Sequence, residues 1–418
     1  MARLYEYQGK RLLKEAGIAI PRGDSASTTE EAKEIAITIG GPVAVKAQIW
    51  AGGRGKAGAI RFAKTPEEAE KVAGELLGAE VRGFKVKKVL VEERLDIEKE
   101  YYVGAIVDPS MGVRGPVVVF SAEGGIEIEE VPDEKISKVI VDIFVGFRSF
   151  HAIDLVRRAG VPKQLLASVA AVCSRLYQIF RRYDCSTIEI NPLVVTLDGN
   201  IIAADCRSAI DDSSVYRHPE LGIRVARETT QEPTEFDEIA WSIEEGDLRG
   251  TGYVAQMSQD IEAIATIGYH GTGGGGAMLG VDALNRVGLK VANYADTSGN
   301  PTAAKVYRVA KLIFSQPHIE GYCLGGFMMA NQEQWHTAHG IVKALREELP
   351  HRPGFPVVLL LAGNKEKESL EILHEGLKGL PAHIEIYGGE HVYDTDFIAR
   401  RMRYLVEEYR KACRAQGG

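Results

Sequence analysis

Residues 43–58 read V-A-V-K-A-Q-I-W-A-G-G-R-G-K-A-G. The apolar run at 43–49 predicts a buried strand, and the loop after it alternates glycines with two cations, Arg54 and Lys56. Glycine lets the backbone come close to a ligand, and successive exposed N–H groups in such a loop form an anion-binding concavity. The stretch therefore predicts a loop that covers a polyphosphate. The alternative is a flexible basic turn between two strands.

Lys46 lies inside the apolar strand of this stretch. A lysine in that position is seldom fully buried without a partner. A phosphate oxygen would be one suitable partner, and a structural salt bridge would be another.

The composition limits the possible function classes. At 418 residues the chain is long enough for two or three domains, and a hydrophobic fraction of 45% is ordinary for a globular protein. The 50 Lys and Arg against 58 Asp and Glu give a net charge of −8. This mildly acidic balance argues against nucleic acid as the main partner.

The cysteines and the apolar runs indicate the compartment. The five cysteines have no CxxC or metal-ligand spacing, as is common in a reducing compartment. No apolar run reaches the roughly 18 residues of a membrane span. The first ten residues lack the apolar core of a signal peptide. We therefore expect a soluble, cytoplasmic protein that does not bind membranes.

The sequence patterns in residues 1–230 predict a domain of helices and strands in which strands pair antiparallel. Helices are expected at 5–16, after Thr28 or Thr29, after Thr65-Pro66, and at 164–183. Strands are expected at 86–92, 101–108, 116–120, 186–190, 193–196 and 200–205, with a hairpin at Asp198-Gly199. This part of the chain does not look doubly wound.

The sequence patterns in residues 253–418 predict an architecture different from that of residues 1–230. The polar segment 231–252 is expected to be a linker or connecting arm. After it, five strand–helix units follow one another, with strands at 261–268, 289–294, 319–324, 357–361 and 384–387. Such alternation favours an open parallel sheet with helices on both faces.

Three oxygen-bearing side chains near the predicted hairpin suggest a metal site. Glu189 and Asn191 alternate with apolar residues and should share one face of a strand. Pairing across Asp198-Gly199 would bring Asp205 opposite position 191 or 192. Hard oxygen ligands suit Mg²⁺ that holds phosphates. The alternative is a half-exposed hairpin whose polar residues face water.

Two glutamates stand at strand ends. Glu92 ends one apolar strand, and Glu100 begins the next. Carboxylates in such positions can hold ribose hydroxyls or a base amine, or they can be solvated surface.

These features, in this order, resemble the ATP-grasp family and, within it, the succinyl-CoA synthetase β-subunit family. The matching segments are specific in combination and extend over about residues 1–230. They are L-Y-E-Y-Q-G-K (4–10), Lys46, A-G-G-R-G-K-A-G (51–58), L-V-E (90–92), K-E-Y (99–101), E-G-G-I-E-I-E (123–129) and I-E-I-N-P-L (188–193).

The resemblance implies an ATP-grasp domain at 1–230 followed by a flavodoxin-like CoA-ligase domain at 253–418. It implies that nucleotide phosphates bind Lys46 and the backbone of Gly53, Arg54 and Gly55, and that base and ribose bind Glu92 and Glu100. It further implies that Asn191 and Asp205 hold Mg²⁺ and that Glu189 orients a phosphohistidine. An adenine base is expected because Ile20 stands where the GTP-using form has a polar residue.

The resemblance also implies a partner. In this family ATP phosphorylates a histidine, the phosphoryl group passes to a carboxylic acid, and CoA displaces phosphate from the acyl phosphate. The histidine and most of the CoA site belong to an α-type subunit. None of the ten histidines of this chain is therefore assigned as the nucleophile.

The second half matches the family less closely and leaves the acid open. Thr272, Gly325, Gly326 and Phe327 occupy the positions of substrate-contacting turns, although tight strand–helix turns would also need such glycines. The longer segment after Gly326 and N-Y-A-D-T-S-G-N-P (293–301) look more like ATP-citrate lyase and citryl-CoA synthetase. The arginine pair of ATP-citrate lyase is replaced by residues 360–364, L-L-A-G-N.

We therefore expect the β-type subunit of an ADP-forming carboxylate–CoA ligase, with succinate as the first substrate candidate and citrate as the alternative. A non-catalytic, nucleotide-binding regulatory subunit is an alternative of another class. The retention of Lys46, Glu189, Asn191 and Asp205 disfavours it. A self-contained ATP-grasp ligase is disfavoured because no third, acceptor-binding domain is predicted.

Overall fold

The computed structural model of the protein describes residues 2–50, 54–55, 57–110, 112–223, 234–257, 265–326 and 331–416. The chain divides into two units, Met1–Glu232 and Pro233–Gly418. The predicted domain boundary at residue 230 lies close to this division. Among the described residues, no helix is long and apolar enough to cross a lipid bilayer.

The described part of the first unit contains five α-helices and a set of mostly antiparallel strands. The helices are α1 (Glu6–Glu15), α2 (Thr29–Ile39), α3 (Pro66–Leu76), α4 (Ser149–Arg158) and α5 (Leu166–Arg182). The strands are β1 (Ala2–Leu4), β2 (Gly23–Ala26), β3 (Val43–Ala47), β4 (Ile60–Ala63), β5 (Glu80–Val81), β6 (Phe84–Lys85), β7 (Val89–Glu93), β8 (Ile97–Asp108), β9 (Gly115–Ser121), β10 (Ile136–Ile140), β11 (Cys185–Thr196), β12 (Ile201–Ala203) and β13 (Arg207–Ile210).

A small antiparallel sheet in the order β2-β7-β3-β4 carries the opening stretch of the sequence. Strand β3 is buried along its whole length, as its apolar run predicts. Helices α2 and α3 cover the sheet, and each begins at a threonine whose hydroxyl accepts a hydrogen bond from the third residue of the helix. Thr65 is the predicted cap of α3, and Thr28 is one of the two candidates for the cap of α2. Strand β3 of this sheet precedes the glycine loop, residues 51–58, of which residues 54, 55, 57 and 58 are described.

A larger antiparallel sheet in the order β1-β13-β11-β8-β9-β10 carries the predicted hairpin, with β12 paired to β11. Ile188 and Ile190 are buried in its core, so Glu189 and Asn191 point to the opposite face. Leu193 pairs with Ala203, a register that brings Asp205 opposite Asn191. The predicted hairpin pairing is confirmed, but the two strands predicted at 186–196 are one strand with a register shift between Ile190 and Leu193.

The described part of the second unit alternates strands and helices. The helices are α6 (Glu235–Ser242), α7 (Gly274–Arg286), α8 (Ala303–Phe314), α9 (Gln334–Glu348), α10 (Glu366–Gly376) and α11 (Thr395–Gln416). The strands are β14 (Tyr253–Gln256), β15 (Ala265–Thr272), β16 (Lys290–Val291), β17 (Asn293–Asp296), β18 (Gly321–Gly326), β19 (Pro356–Leu360) and β20 (His383–Tyr387).

The sheet of the second unit runs β14-β17-β15-β18-β19-β20, and its pairs from β17 to β20 are parallel. One buried core packs α8, α9 and α10 against one face, and a second core packs α7 and α11 against the other. The predicted doubly wound arrangement is confirmed. The strand order reverses between β15 and β18, which makes the carboxyl ends of these two strands the topological switch point.

Two features of this unit differ from the expectation. The edge strand β14 pairs antiparallel with β17 and was not predicted, because four residues are too few for an alternating pattern to stand out. Helix α6 lies within the segment 231–252 that was expected to be a linker or connecting arm. Its Ala240 and the following Ile243 are buried in the core of the second unit.

Candidate functional site

A cavity of about 540 Å³ opens in the first unit between the glycine loop, β3, β7 and the β11–β12 hairpin. Residues that the sequence singles out from separate parts of the chain line this one cavity. They are Lys46, Arg54, Gly55, Glu92, Glu189, Asn191 and Asp205.

Lys46 is buried at the base of the cavity and is held by two carboxylates. Its Nζ lies 2.9 Å from Glu6 Oε1 and 2.9 Å from Glu92 Oε2, and it donates a hydrogen bond of 2.7 Å to the carbonyl oxygen of Ala204. Burial alone would lower the pKa of Lys46, but Glu6, Glu92 and Asp205 raise it above its ordinary value. Lys46 therefore stays charged.

Glu6 connects the cations around Lys46. It is the first residue of α1, its Oε1 lies 2.8 Å from Lys10 Nζ, and its Oε2 lies 2.7 Å from Arg54 Nη1. Burial alone would raise the pKa of Glu6, but Arg54, Lys10 and Lys46 together hold it well below its ordinary value. Glu6 is therefore a buried, ionised carboxylate.

Arg54 connects the glycine loop to the hairpin. Its Nη2 donates to both carboxylate oxygens of Asp205, at 2.7 and 2.9 Å. Burial alone would lower the pKa of Arg54, but Asp205 and Glu6 raise it. We call Glu6, Lys10, Lys46, Arg54, Glu92 and Asp205 the ion cluster. Its three cations and three carboxylates balance in charge, and Lys46 and Arg54 line the cavity where a polyanion could reach them.

Glu189 also faces the cavity. The hydroxyl of Tyr102 donates a hydrogen bond of 2.9 Å to its Oε2, and Arg207 Nη1 lies 3.4 Å from its Oε1. A Cβ at Gly104 would lie 2.5 Å from the Tyr102 hydroxyl, so the glycine makes room for this contact. Burial raises the pKa of Glu189, while Arg207 and Tyr102 act against that rise.

Asn191 and Asp205 offer hard oxygen atoms, as a magnesium site requires. The side-chain oxygen of Asn191 accepts a hydrogen bond of 2.8 Å from the Gly125 N–H, and its amide donates one of 2.8 Å to the carbonyl of Ile126. Among the described residues, no three His, Cys, Asp or Glu side chains form a metal-binding group. One carboxylate and one amide oxygen fit Mg²⁺ only if phosphate oxygens and water complete its coordination, which is its usual arrangement in nucleotide sites.

The two strand-end glutamates have different surroundings. Both carboxylate oxygens of Glu92 accept hydrogen bonds from Lys10 Nζ, at 2.6 and 2.7 Å. Glu100 is not among the residues that line the cavity, and its Oε2 lies beside Gly125, where a Cβ would approach to 2.1 Å. Glu92 is therefore part of the ion cluster, whereas Glu100 lies behind the segment that holds Asn191. The roles of both in nucleotide binding stay predictions.

In the second unit, the structure brings together three of the four predicted substrate residues. Thr272 pairs with Gly326, and Gly271 pairs with Gly325, at the carboxyl ends of β15 and β18. A Cβ at Gly326 would lie 2.3 Å from the carbonyl oxygen of Thr272, so these backbones approach as closely as a glycine permits. These residues lie at the switch point, where open parallel sheets commonly bind ligands.

Two predicted site residues, Gly53 and Phe327, lie outside the described residues. The segment 360–364, which stands in place of an arginine pair, begins with Leu360 and Leu361, and both are buried in the cores of the second unit.

The sequence analysis did not single out Glu6, Lys10, Tyr102 or Arg207. Glu6 and Lys10 are four residues apart on a helix and resemble an ordinary surface ion pair. The one available signal was their place in the quoted segment 4–10. Tyr102 lies next to the buried Tyr101 in an apolar strand. Its position in the sequence does not show whether it packs in the core or forms a hydrogen bond with Glu189.

Comparison with known families gives matches in both units. A family model described as an ATP-grasp domain matches residues 3–195. A family model described as ATP citrate lyase citrate-binding matches residues 262–400.

Curated relatives match over nearly the whole chain. The β subunit of a GDP-forming succinate–CoA ligase from Thermus thermophilus is 39% identical over 376 residues, covering 88% of this chain and 93% of the relative. The β subunit of an ADP-forming succinate–CoA ligase from Methanothermobacter thermautotrophicus is 37% identical over 385 residues, covering 91% and 94%.

Among solved structures, the ATP citrate lyase from Methanothrix soehngenii in complex with citrate and coenzyme A resembles the chain with a TM-score of 0.77. It is 20% identical and covers 96% of this chain and 99% of the neighbour. This likeness concerns the fold, and it confirms the predicted pair of an ATP-grasp domain and a parallel-sheet domain.

Proposed function

The chain belongs to the succinate–CoA ligase β-subunit family, and from this premise we propose that it is the β-type subunit that binds the nucleotide in an acid–thiol ligase. The enzyme would use ATP to form an acyl-CoA from a small di- or tricarboxylate. The family is one of ADP- or GDP-forming acid–thiol ligases. The observation that carries the proposal is the charge-balanced ion cluster in the cavity beneath the glycine loop.

The chemistry explains why such a cavity is needed. A carboxylate oxygen is a poor leaving group, so the acid must first be converted to an acyl phosphate. Phosphoryl transfer is catalysed mainly by positioning and by cations that stabilise the charge on the transferring group. Lys46 and Arg54 are two such cations.

We assign the nucleotide phosphates to Lys46 and to the backbone of residues 53–55, and the base and ribose to Glu92 and Glu100. A bound polyphosphate would compete with the carboxylates that now neutralise Lys46 and Arg54. Binding would therefore redistribute ion pairs within the cluster. Adenine is the proposed base.

We assign Mg²⁺ to Asn191 and Asp205. When bound, the ion would neutralise part of the phosphate charge. Asp205 keeps its carboxylate on the cavity side of the hairpin, and Asn191 is held in place by the backbone of Gly125 and Ile126.

Glu189 is proposed to orient a histidine that an α-type, CoA-binding partner subunit supplies. Its carboxylate faces the cavity, and Tyr102 fixes the orientation of one of its two oxygens. Such a group can accept a hydrogen bond from an imidazole and so hold it in line for phosphoryl transfer.

The acid is proposed to bind at the switch point, near Thr272, Gly325, Gly326 and Phe327. Succinate is the first candidate because the succinate–CoA ligase relatives match 88% and 91% of the chain, with parts of both units included. Citrate is the second candidate, supported by the citrate-binding family model over residues 262–400. The segment 360–364, L-L-A-G-N, weighs against a tricarboxylate because it contains no arginine to bind a third carboxylate.

We further propose that the protein works in the cytoplasm. All five of its cysteines are free thiols, and four of them are buried. Disulfides are rare in reducing compartments, so unpaired thiols suit that location.

The metal assignment is tested by Asp205→Asn in the complex with the partner subunit. We expect the rate of ATP-dependent phosphorylation of the partner to fall about a hundredfold or more, because one ligand of the ion would lose its charge. The matched control is Asp198→Asn, in the exposed turn of the same hairpin. Normal phosphorylation in Asp205→Asn would remove the assignment.

The partner and the acid are tested with the purified chain and the reconstituted pair. The chain alone should bind Mg·ATP without forming acyl-CoA, and robust ligation by it would contradict the need for a partner. A panel of dicarboxylic and tricarboxylic acids assayed with the pair would identify the substrate. ATP binding without turnover of any acid by the pair would favour the regulatory alternative.

A further inference from the structure

A buried polar network lies beside the switch point and is centred on His270, two residues before the end of β15. The His270 side chain is fully buried. Its Nδ1 lies 2.6 Å from the hydroxyl of Tyr322 on β18, and its Nε2 lies 2.9 Å from Thr297 Oγ1, just after β17. The ring therefore bridges the two strands that flank β15.

The hydrogen bonds of Thr297 determine the tautomer of His270. The Thr297 hydroxyl donates its single proton to the carbonyl oxygen of Gly271, at 3.2 Å. It can then only accept from His270, so Nε2 carries the ring proton and Nδ1 accepts from the Tyr322 hydroxyl. Burial lowers the pKa of His270 to about 3, so the ring stays neutral near pH 7.

The network continues from His270 to the segment after β18. The Thr297 N–H donates to the carbonyl of Gly271 at 2.9 Å, and the Thr297 carbonyl accepts from Gln332 Nε2 at 3.2 Å. Gln332 is fully buried and also contacts Thr337 on α9. One continuous set of hydrogen bonds thus ties the end of β15 to the segments that follow β17 and β18.

The network lies next to the point to which the acid is assigned. Thr272 is two residues beyond His270, and its partner Gly326 ends β18. The backbones are so close there that even a methyl group at Gly326 would clash with Thr272. Thr297 is hydrogen-bonded to Gly271, which precedes Thr272, and to Gln332, which follows β18, so a shift of the segment after β17 would act on both strands of the switch point.

We propose that His270 is a positioning residue for the carboxylic acid, holding the segment after β17, through Thr297, at the edge of the switch point. The acid-binding role of the switch point belongs to the proposed function, and the inference rests on it. His270 itself neither contacts substrate nor transfers a proton in this proposal. Its bond to Thr297 is the part that matters for acid binding, whereas its bond to Tyr322 anchors the ring to the sheet.

Two substitutions separate the two bonds. The side-chain oxygen of asparagine can take the place of Nδ1 of a histidine. His270→Asn therefore keeps an acceptor for the Tyr322 hydroxyl but loses the hydrogen bond to Thr297. The side-chain amide of glutamine can take the place of Nε2, so His270→Gln keeps the hydrogen bond that is donated to the Thr297 hydroxyl. In the reconstituted complex we expect His270→Asn to raise the KM for the acid about tenfold, and His270→Gln to stay within about threefold of wild type. The KM for ATP and the rate of ATP-dependent phosphorylation should not change in either variant.

Two further variants keep the test independent of folding defects. Thr297→Val removes the same hydrogen bond from the other side with little change of shape, and it should reproduce the result of His270→Asn. Phe355→Leu makes a cavity in the core just before β19, at the other end of the strands. It should lower stability without a selective rise in the KM for the acid.

The outcomes distinguish the inference from the function on which it rests. Equal KM values for the acid in His270→Asn and His270→Gln, or a parallel rise in the KM for ATP, would overturn the inference alone. A wild-type complex without ATP-dependent phosphorylation would overturn the proposed function and, with it, this inference. A rise confined to the acid in His270→Asn and Thr297→Val would support it.

Discussion

Glu6 is in contact with all three cations of the ion cluster, and it begins helix α1. The N-terminus of a helix carries a partial positive charge, which adds to the stabilisation of the carboxylate by Lys10, Lys46 and Arg54. The residue thus holds in place the cations that we propose to bind phosphate.

We predict that Glu6→Gln lowers the free energy of unfolding of the first unit by about 3–5 kcal/mol, because it leaves buried cations without their shared partner. Urea unfolding can be followed through Trp50 after Trp241 and Trp335 are replaced by Phe. The matched control is Glu15→Gln on the same helix, where the exposed pair with Arg11 should contribute less than about 1 kcal/mol. Equal effects of the two substitutions would contradict the role of Glu6.

The low pKa of Glu6 also predicts a pH dependence. Because its folded-state pKa lies well below the ordinary value of 4.5, the stabilisation is complete above about pH 4.5 and is lost as the pH falls through the folded-state pKa. The difference in unfolding free energy between the wild type and Glu6→Gln should therefore shrink below pH 4.5. A difference that stays constant from pH 7 to pH 3 would mean that folding does not lower the pKa of Glu6.

The sequence predicted part of this cluster. It identified Lys46 as a buried cation in need of a partner and left a phosphate and a salt bridge as alternatives. Without a ligand, the structure shows the salt bridges, with Glu6 and Glu92. Glu6 and Lys10 could not be recognised from their spacing, because an i, i+4 pair of opposite charges has the same sequence pattern whether it is exposed or buried.

At the scale of elements, patterns extending over many residues predicted more than short ones. The alternation along β11 predicted that Glu189 and Asn191 share a face, and the Asp198-Gly199 turn predicted the register that brings Asp205 opposite Asn191. The strand–helix alternation predicted the parallel sheet. Strand β14 was missed because it is a four-residue edge strand that pairs only with β17. So short a strand has no clear alternation of apolar and polar residues.

The close pairing of β15 and β18 leads to a prediction for Gly326→Ala. Its Cβ would lie 2.3 Å from both the carbonyl and the hydroxyl oxygen of Thr272, so the ends of the two strands must separate. We expect a loss of about 1–3 kcal/mol in the stability of the second unit, the usual cost of overpacking. Urea unfolding followed through Trp241 and Trp335 measures it.

Gly275→Ala is the matched control for this substitution. Gly275 lies in the first turn of α7, and a Cβ there would meet nothing within 4 Å. Alanine favours a helix more than glycine does, so this variant should be as stable as the wild type or slightly more stable. A loss of stability in Gly275→Ala equal to that in Gly326→Ala would show that the tight pairing is not the cause.

At the scale of the whole molecule, the sequence predicted the two domain types more readily than the acid. Domain type follows from periodic patterns and from dense motifs over about 230 residues. The predicted acid-binding residues lie at strand–helix turns, and such turns need glycine for geometric reasons in any parallel sheet. Thr272 and Gly326 therefore support a prediction of where the acid binds but do not identify the acid.

The two units each have their own buried cores, and the residues that line the nucleotide cavity all lie between positions 3 and 209. We therefore predict that a fragment of residues 1–232 folds alone and binds Mg·ATP within about threefold of the affinity of the full chain, a difference below 1 kcal/mol. Isothermal titration calorimetry measures both affinities. Lys46→Met in the same fragment should weaken binding about tenfold or more, because a charge-assisted contact to phosphate is lost. A fragment that shows native circular dichroism but no ATP binding would mean that the cavity alone is not sufficient for the nucleotide site.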